Sequence, residues 1–167
     1  MANPLENEDQ LYSQISREQI KTPAILWDLI YHRIGDDITV ISLITGHALR
    51  MGEPLSVEDA QVILKHTQDI KEILEGIRDP DQAVEKNPAF LEICRKNIRL
   101  HPAVGTILNH HIANDVFSIN MAIGLYLSSK NPEAVPLEEA KEISIRVSMI
   151  REVMDKLREA SMCEGGF

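Results

Sequence analysis

His32-Arg33-Ile34-Gly35-Asp36-Asp37-Ile38-Thr39-Val40-Ile41 is echoed later in the chain by His110-His111-Ile112-Ala113-Asn114-Asp115-Val116-Phe117-Ser118-Ile119. The offset, His32 to His110, is 78 residues. It also relates Ile15, Arg17 and Ile20 to Ile93, Arg95 and Ile98, and Gly46 and Leu49 to Gly124 and Leu127. Further on, Glu58, Ala60, Ile63 and Ile70 match Glu138, Ala140, Ile143 and Ile150 at an offset of 80. Two residues added in the second hairpin loop account for the change. Pro23 and Pro102 are 79 apart, which puts a one-residue gap just before the histidine helix. Apolar matches alone carry little weight, because any two amphipathic helices share them. Matches of His, Asp and Arg at constant offset indicate a tandem repeat.

Each unit reads as a short helix, a proline-marked break, a long helix, a loop and a second long helix. Apolar residues step by three and four along Ala24, Trp27, Tyr31, Ile34, Ile38, Ile41, Thr45 and Ala48, and along Ala60, Ile63, Thr67, Ile70, Leu74 and Ile77. Ile112, Val116, Ile119, Ile123 and Tyr126 continue the pattern, as do Ala140, Ile143, Val147, Ile150, Met154 and Leu157. These are the seams of helices lying side by side. Thr22-Pro23, Asp79-Pro80 and Asn87-Pro88 each resemble an N-cap followed by proline in the first turn. Gly52 and Pro54 should close the first long helix, and Ser56 with Asp59 should open the next. Asn131-Pro132 and Pro136 mark the equivalent later break. The expected fold is all-α: a pseudo-two-fold four-helix bundle of two helical hairpins, with extra short helices near 8–20 and 88–100. Residues 1–79 and 88–167 form the two repeats, joined by a linker at 80–87 and packed as one domain.

Composition narrows the classes of function. The chain has 167 residues, is 44% hydrophobic and only 4% aromatic, and carries a formal charge of −9. That supports a sizeable aliphatic core, and it argues against nucleic acid or an anionic membrane surface as partner. No apolar run reaches the length of a membrane span. The polar, acidic start, Met1 to Asp9, lacks the order of a signal peptide. Cys94 and Cys163 stand alone, without a CxxC pair, which points to a reducing, cytoplasmic setting. Cys163 falls in a tail expected to fray. The Glu58-Asp59 and Glu138-Glu139 pairs sit at helix starts, where they complement the dipole and need no catalytic explanation.

The histidines are the remaining candidates for chemistry. His32 lies two residues before Ile34, roughly 200° around a helix, and so should face outward. Asp36 follows one turn on, on the same side. His110 and Asn114 repeat the arrangement. The adjacent His111 reads as a surface neighbour, and His66 as a residue at the edge of the seam. No HxxxH pair or Glu-x-x-His is present among them, and His110 and His111 diverge by about 100° on a helix. Neither a metal site nor a cofactor is therefore expected from the histidine spacing.

The two segments resemble the H-box of the dimerisation and histidine-phosphotransfer domain of sensor histidine kinases. That box reads roughly His-Glu-Ile-Arg-Asn-Pro-Leu-Thr-x-Ile on the first helix of a hairpin. His32, Ile34, Ile38, Thr39 and Ile41 match it in register, as do His110, Ile112, Asn114, Val116 and Ile119. The resemblance implies that His32 and His110 accept a phosphoryl group, with Asp36 and Asn114 in the polar position one turn on. It also implies a receiver-domain or kinase-like protein as partner. The family's acidic residue after the histidine is here Arg33 or His111, and its proline is Asp37 or Asp115. No Gly-rich ATP-binding segment follows the hairpins in this sequence. The expected role is thus phosphotransfer intermediate or phosphatase-like regulator in two-component signalling, not a self-contained kinase. The rival expectations are a non-enzymatic adaptor or oligomerisation module that keeps the bundle alone, and a bundle that binds a ligand between its helices. A duplicated chain completes four helices as a monomer, whereas pairing through the short helices gives a homodimer.

Overall fold

The computed structural model describes residues 4–164. These form an all-α bundle of six helices. Helix α1 is Pro4–Arg17. A two-residue strand, β1 (Lys21–Thr22), leads into the long helix α2, residues 24–51. Helix α3 is Val57–Arg78, and α4 is the short Pro88–Arg95. Helix α5 covers residues 102–127, α6 is Leu137–Ala160, and β2 (Met162–Cys163) ends the described chain. Helices α2, α3, α5 and α6 make the bundle: α2 packs on α3 and α6, and α5 packs on α3 and α6. Every neighbouring pair runs antiparallel. Helix α1 lies on α5 and α6 at the side. Among the described residues no helix is long and apolar enough to cross a membrane.

The local signals explain most boundaries. Gly52 takes the left-handed conformation (φ 66°) that stops α2, a backbone state costly for any side chain with a Cβ. Ser56 accepts from the Asp59 amide at 3.0 Å and caps α3. Asn87 accepts from the Ala89 amide at 3.0 Å, with Pro88 in the first turn of α4. His101 caps α5 through Nδ1, which accepts from the Ala103 amide at 3.1 Å.

Three expectations need correction. Asp79-Pro80 opens only a 3-10 turn at Pro80–Gln82. Thr22 does not cap α2. It lies in β1, and Pro23 itself occupies the N-cap position. Cys163 is buried instead of frayed, because β2 pairs in parallel with β1, Thr22 opposite Cys163.

The seams of α3 and α6 are buried as their spacing requires, with Ile77 alone only partly so. In α2 the pattern holds from Ile34 to Ala48 but slips upstream. Ala24 is exposed and Trp27 only half-buried, while Leu26, Leu29 and Ile30 fill the core. The cause is a π-helical stretch, Asp28–Ile34, whose wider turn advances the buried face. Helix α5 has the same feature at Leu108–Ile112.

Several structural details recur at the offsets of the sequence matches. The left-handed residues Gln19 and Asn97 are 78 apart. Leu55 and Val135, 80 apart, pair with each other and join the two hairpin loops through reciprocal backbone hydrogen bonds of 2.9 Å. Tyr12 lies under Lys156, and Phe90, 78 residues after Tyr12, lies against Gly76.

Candidate functional site: the histidine helices and their grooves

His32 and His110 both project from π-helical stretches, and both are exposed. Ile34 and Ile38 anchor α2 in the core beneath His32, and Ile112 and Val116 do the same beneath His110. Extra-wide turns of this kind redirect side chains and recur at functional positions of helices. Asp36 and Asn114 are exposed one turn further on. Asn114 turns back, its Nδ2 donating to the His110 carbonyl oxygen at 2.5 Å. The four candidate residues thus form two separate surfaces, each a histidine with its own polar neighbour.

Each surface borders a groove against a helix of the other hairpin. Asn114 lines a groove of about 400 Å³ between α5 and α3, with Phe117 and Asn109 on one wall and Lys71, Glu75 and Arg78 on the other. Asp36 lines a groove of about 460 Å³ between α2 and α6, where Tyr31 and Thr39 face Arg151, Asp155 and Arg158. The cation–carboxylate–cation order is the same in both grooves. Its members, Lys71 and Arg151, Glu75 and Asp155, Arg78 and Arg158, are 80 apart. A repeat search for identical residues passes over these pairs, because in two of the three only the charge is kept. Arg158 stacks 5.0 Å from the centre of the Tyr31 ring. Burial pushes the Tyr31 hydroxyl up to about 12, opposed by its hydrogen bond with Ser161 and by the Arg158 charge.

Two of the other histidines, His111 and His66, are tied to carboxylates. His111 Nδ1 lies 3.5 Å from Glu8 on α1, with both side chains 14% exposed. The expected surface neighbour is therefore largely covered. His66 Nδ1 lies 2.7 Å from Asp37 Oδ1, between α3 and α2, and Asp69 completes a cluster with them. Burial holds the Asp37 carboxyl above its ordinary range, opposed by the hydrogen bond from His66. In the second hairpin Asp115 is buried and meets Arg146 at 3.1 Å, and Arg146 is also 3.2 Å from Glu142. Asp37 and Asp115, 78 residues apart, are each answered from the partner helix of their own hairpin. Nothing in the sequence spacing announces these pairs, since Asp37 and His66 are 29 residues apart.

An apolar surface also lies along α5. Phe117, Met121 and Leu125 recur every four residues and are 63%, 52% and 71% exposed. Spacing of this kind aligns them in one stripe. Searches of protein-family models, of curated proteins and of solved structures give no match to the chain.

Proposed function

We propose that this is a two-component-type signalling protein that offers His32 and His110 as phosphoryl acceptors to a receiver-domain partner. The observation that carries the reading is the exposure of both imidazoles on two long helices of the four-helix bundle. Each is one turn from a polar side chain at the rim of a groove carrying two cations. A neutral imidazole nitrogen is a competent nucleophile near neutral pH. It attacks the phosphorus of an acyl phosphate on the partner. The N–P bond forms as the P–O bond to the partner's carboxylate breaks, and the carboxylate departs with the electron pair. The reverse step returns the phosphoryl group. Such transfer needs positioning and charge stabilisation more than covalent assistance from the acceptor protein. The order of cations along α3 and α6 supplies positive charge beside each histidine surface. Either direction gives a phosphorelay step or, with water as final acceptor, removal of phosphate from the partner.

Incubation with a phosphorylated receiver domain tests the reading, with a promiscuous histidine kinase and ATP as a second donor. Acid-labile label on the wild type, lost in His32→Gln, in His110→Gln or only in the double variant, is the expected result and identifies the active half. A folded wild type that takes no label from either donor would refute it.

The exposed stripe Phe117–Met121–Leu125 favours a second reading, a non-enzymatic adaptor that binds a partner through α5. That reading requires partner binding that survives both His→Gln substitutions and fails in Phe117→Ser.

A further inference from the structure

Asp37, His66 and Asp69 offer one nitrogen and two oxygen ligands, all within 4.8 Å of one another, in the interface of α2 and α3. His66 and Asp69 stand three apart on α3 and so share a face, and Asp37 meets that face from α2. His66 Nδ1 and Asp37 Oδ1 are hydrogen-bonded at 2.7 Å, and an ion with bonds of about 2.1 Å would take the place of that hydrogen bond, setting the two atoms about 3.0–3.4 Å apart.

The second hairpin supplies an independent observation. There Asp115 meets the fixed positive charge of Arg146, and the position equivalent to Asp69 is the uncharged Met149. Two carboxylates, Asp115 and Glu142, there share one guanidinium. In the first hairpin the arginine is replaced by His66 and the methionine by Asp69. Two carboxylates here share one imidazole. The fixed guanidinium that answers Asp115 thus has no counterpart beside Asp37, where an imidazole and a second carboxylate, both able to ligate a metal ion, stand instead.

We propose that Asp37, His66 and Asp69 bind a divalent first-row transition-metal ion between α2 and α3. The imidazole ligand favours zinc, cobalt or nickel over magnesium and calcium, which take oxygen ligands. Three protein ligands leave the remaining coordination positions to water. The spacing of histidines along the chain gives no sign of this site, because its ligands come from two helices. An ion here clamps α2 to α3 just beyond the His32 turn. The site stands or falls independently of phosphotransfer.

Cobalt(II) is the probe. The full chain, stripped with chelator, is titrated with cobalt while visible ligand-field absorption and equilibrium dialysis are followed. One cobalt per chain is expected, displaced by zinc. His66→Arg recreates the charge balance of the second hairpin, so it should fold and lose the site. Asp69→Asn should weaken binding by more than about 100-fold, beyond the loss of an outer-shell partner. His111→Gln should leave binding unchanged. Circular dichroism verifies that each variant is folded. No uptake by the wild type at millimolar cobalt would overturn the proposal, as would uptake that persists in His66→Arg or is unchanged in Asp69→Asn.

Discussion

Gly76 and Gly124 both lie near the C-terminal ends of bundle helices, α3 and α5, and alanine at each should have opposite effects. In an open helical position, Gly→Ala stabilises by about 1 kcal/mol, through a smaller loss of backbone entropy on folding. Gly124 is such a position, since a Cβ built there meets nothing within 4 Å. Gly76 is not. A Cβ there would stand 2.6 and 2.7 Å from Cε2 and Cε1 of Phe90, and closer still to Cζ. Carbon atoms prefer about 3.5–4.0 Å, so the ring must retreat by about 1 Å. Phe90 is only 2% exposed and sits on α4, so that retreat displaces the short helix with it. Overpacking of this kind costs about 1–3 kcal/mol, and three ring atoms in conflict place it near the upper end. Net of the propensity gain, Gly76→Ala should destabilise by about 2 kcal/mol. With a urea slope of about 2 kcal/mol/M, its midpoint falls by about 1 M while that of Gly124→Ala rises by about 0.5 M. Urea melts followed by circular dichroism measure both. Adding Phe90→Leu to Gly76→Ala should recover part of the loss. If Gly76→Ala raises the midpoint as Gly124→Ala does, α4 is not seated on α3 through this ring.

Two further perturbations probe the charges and hydroxyls inside the bundle. Arg146→Met leaves Asp115, 6% exposed, without its cation and should cost about 2–3 kcal/mol in a urea melt at neutral pH. Adding Asp115→Asn should restore most of it, and an unaffected single variant would mean the pair contributes nothing. Tyr31 is pushed up to about 12, and Tyr12 is raised above its ordinary value by burial and by its hydrogen bond to Glu8. Both hydroxyls should therefore stay protonated at about pH 11, where a free tyrosine has largely ionised. Because the folded values exceed the unfolded value of about 10, this linkage leaves stability untouched below that pH and removes it as pH climbs from 10 towards 12 and beyond. Tyrosinate absorbance and pH-dependent melting measure this, and early ionisation of all three tyrosines would contradict it.

The bundle was legible because its signals are local. The seam from Ile34 to Ala48, the Ser56 cap and the Gly52 stop each depend on residues within a turn or two, and the outward direction of His32 follows from its distance to Ile34. What was hidden depends on partners far along the chain. No residue type marks Asp28–Ile34 as π-helical, so a uniform helical period put Ala24 in the core in place of Leu26 and Ile30. The pairing of β2 with β1 covers Cys163, and two residues are too few to show strand periodicity. Asp37 reads alone as a polar residue beside the seam. It gains meaning only when α3 brings His66 and Asp69 to it.

The small β1–β2 contact also decides how the chain bears tension. Its strands are parallel, held by hydrogen bonds from the Met162 amide to the Ile20 carbonyl at 3.2 Å and from the Glu164 amide to the Thr22 carbonyl at 2.9 Å. A pull on the two termini drags β1 towards its N-terminal end and β2 towards its C-terminal end. Parallel strands drawn in opposite directions slide along each other, so both bonds are loaded together instead of being opened in turn like a zip. Once α1 has been lifted from α5 and α6, that latch takes the load ahead of the four long helices, which makes two short strands a mechanical fuse of the bundle.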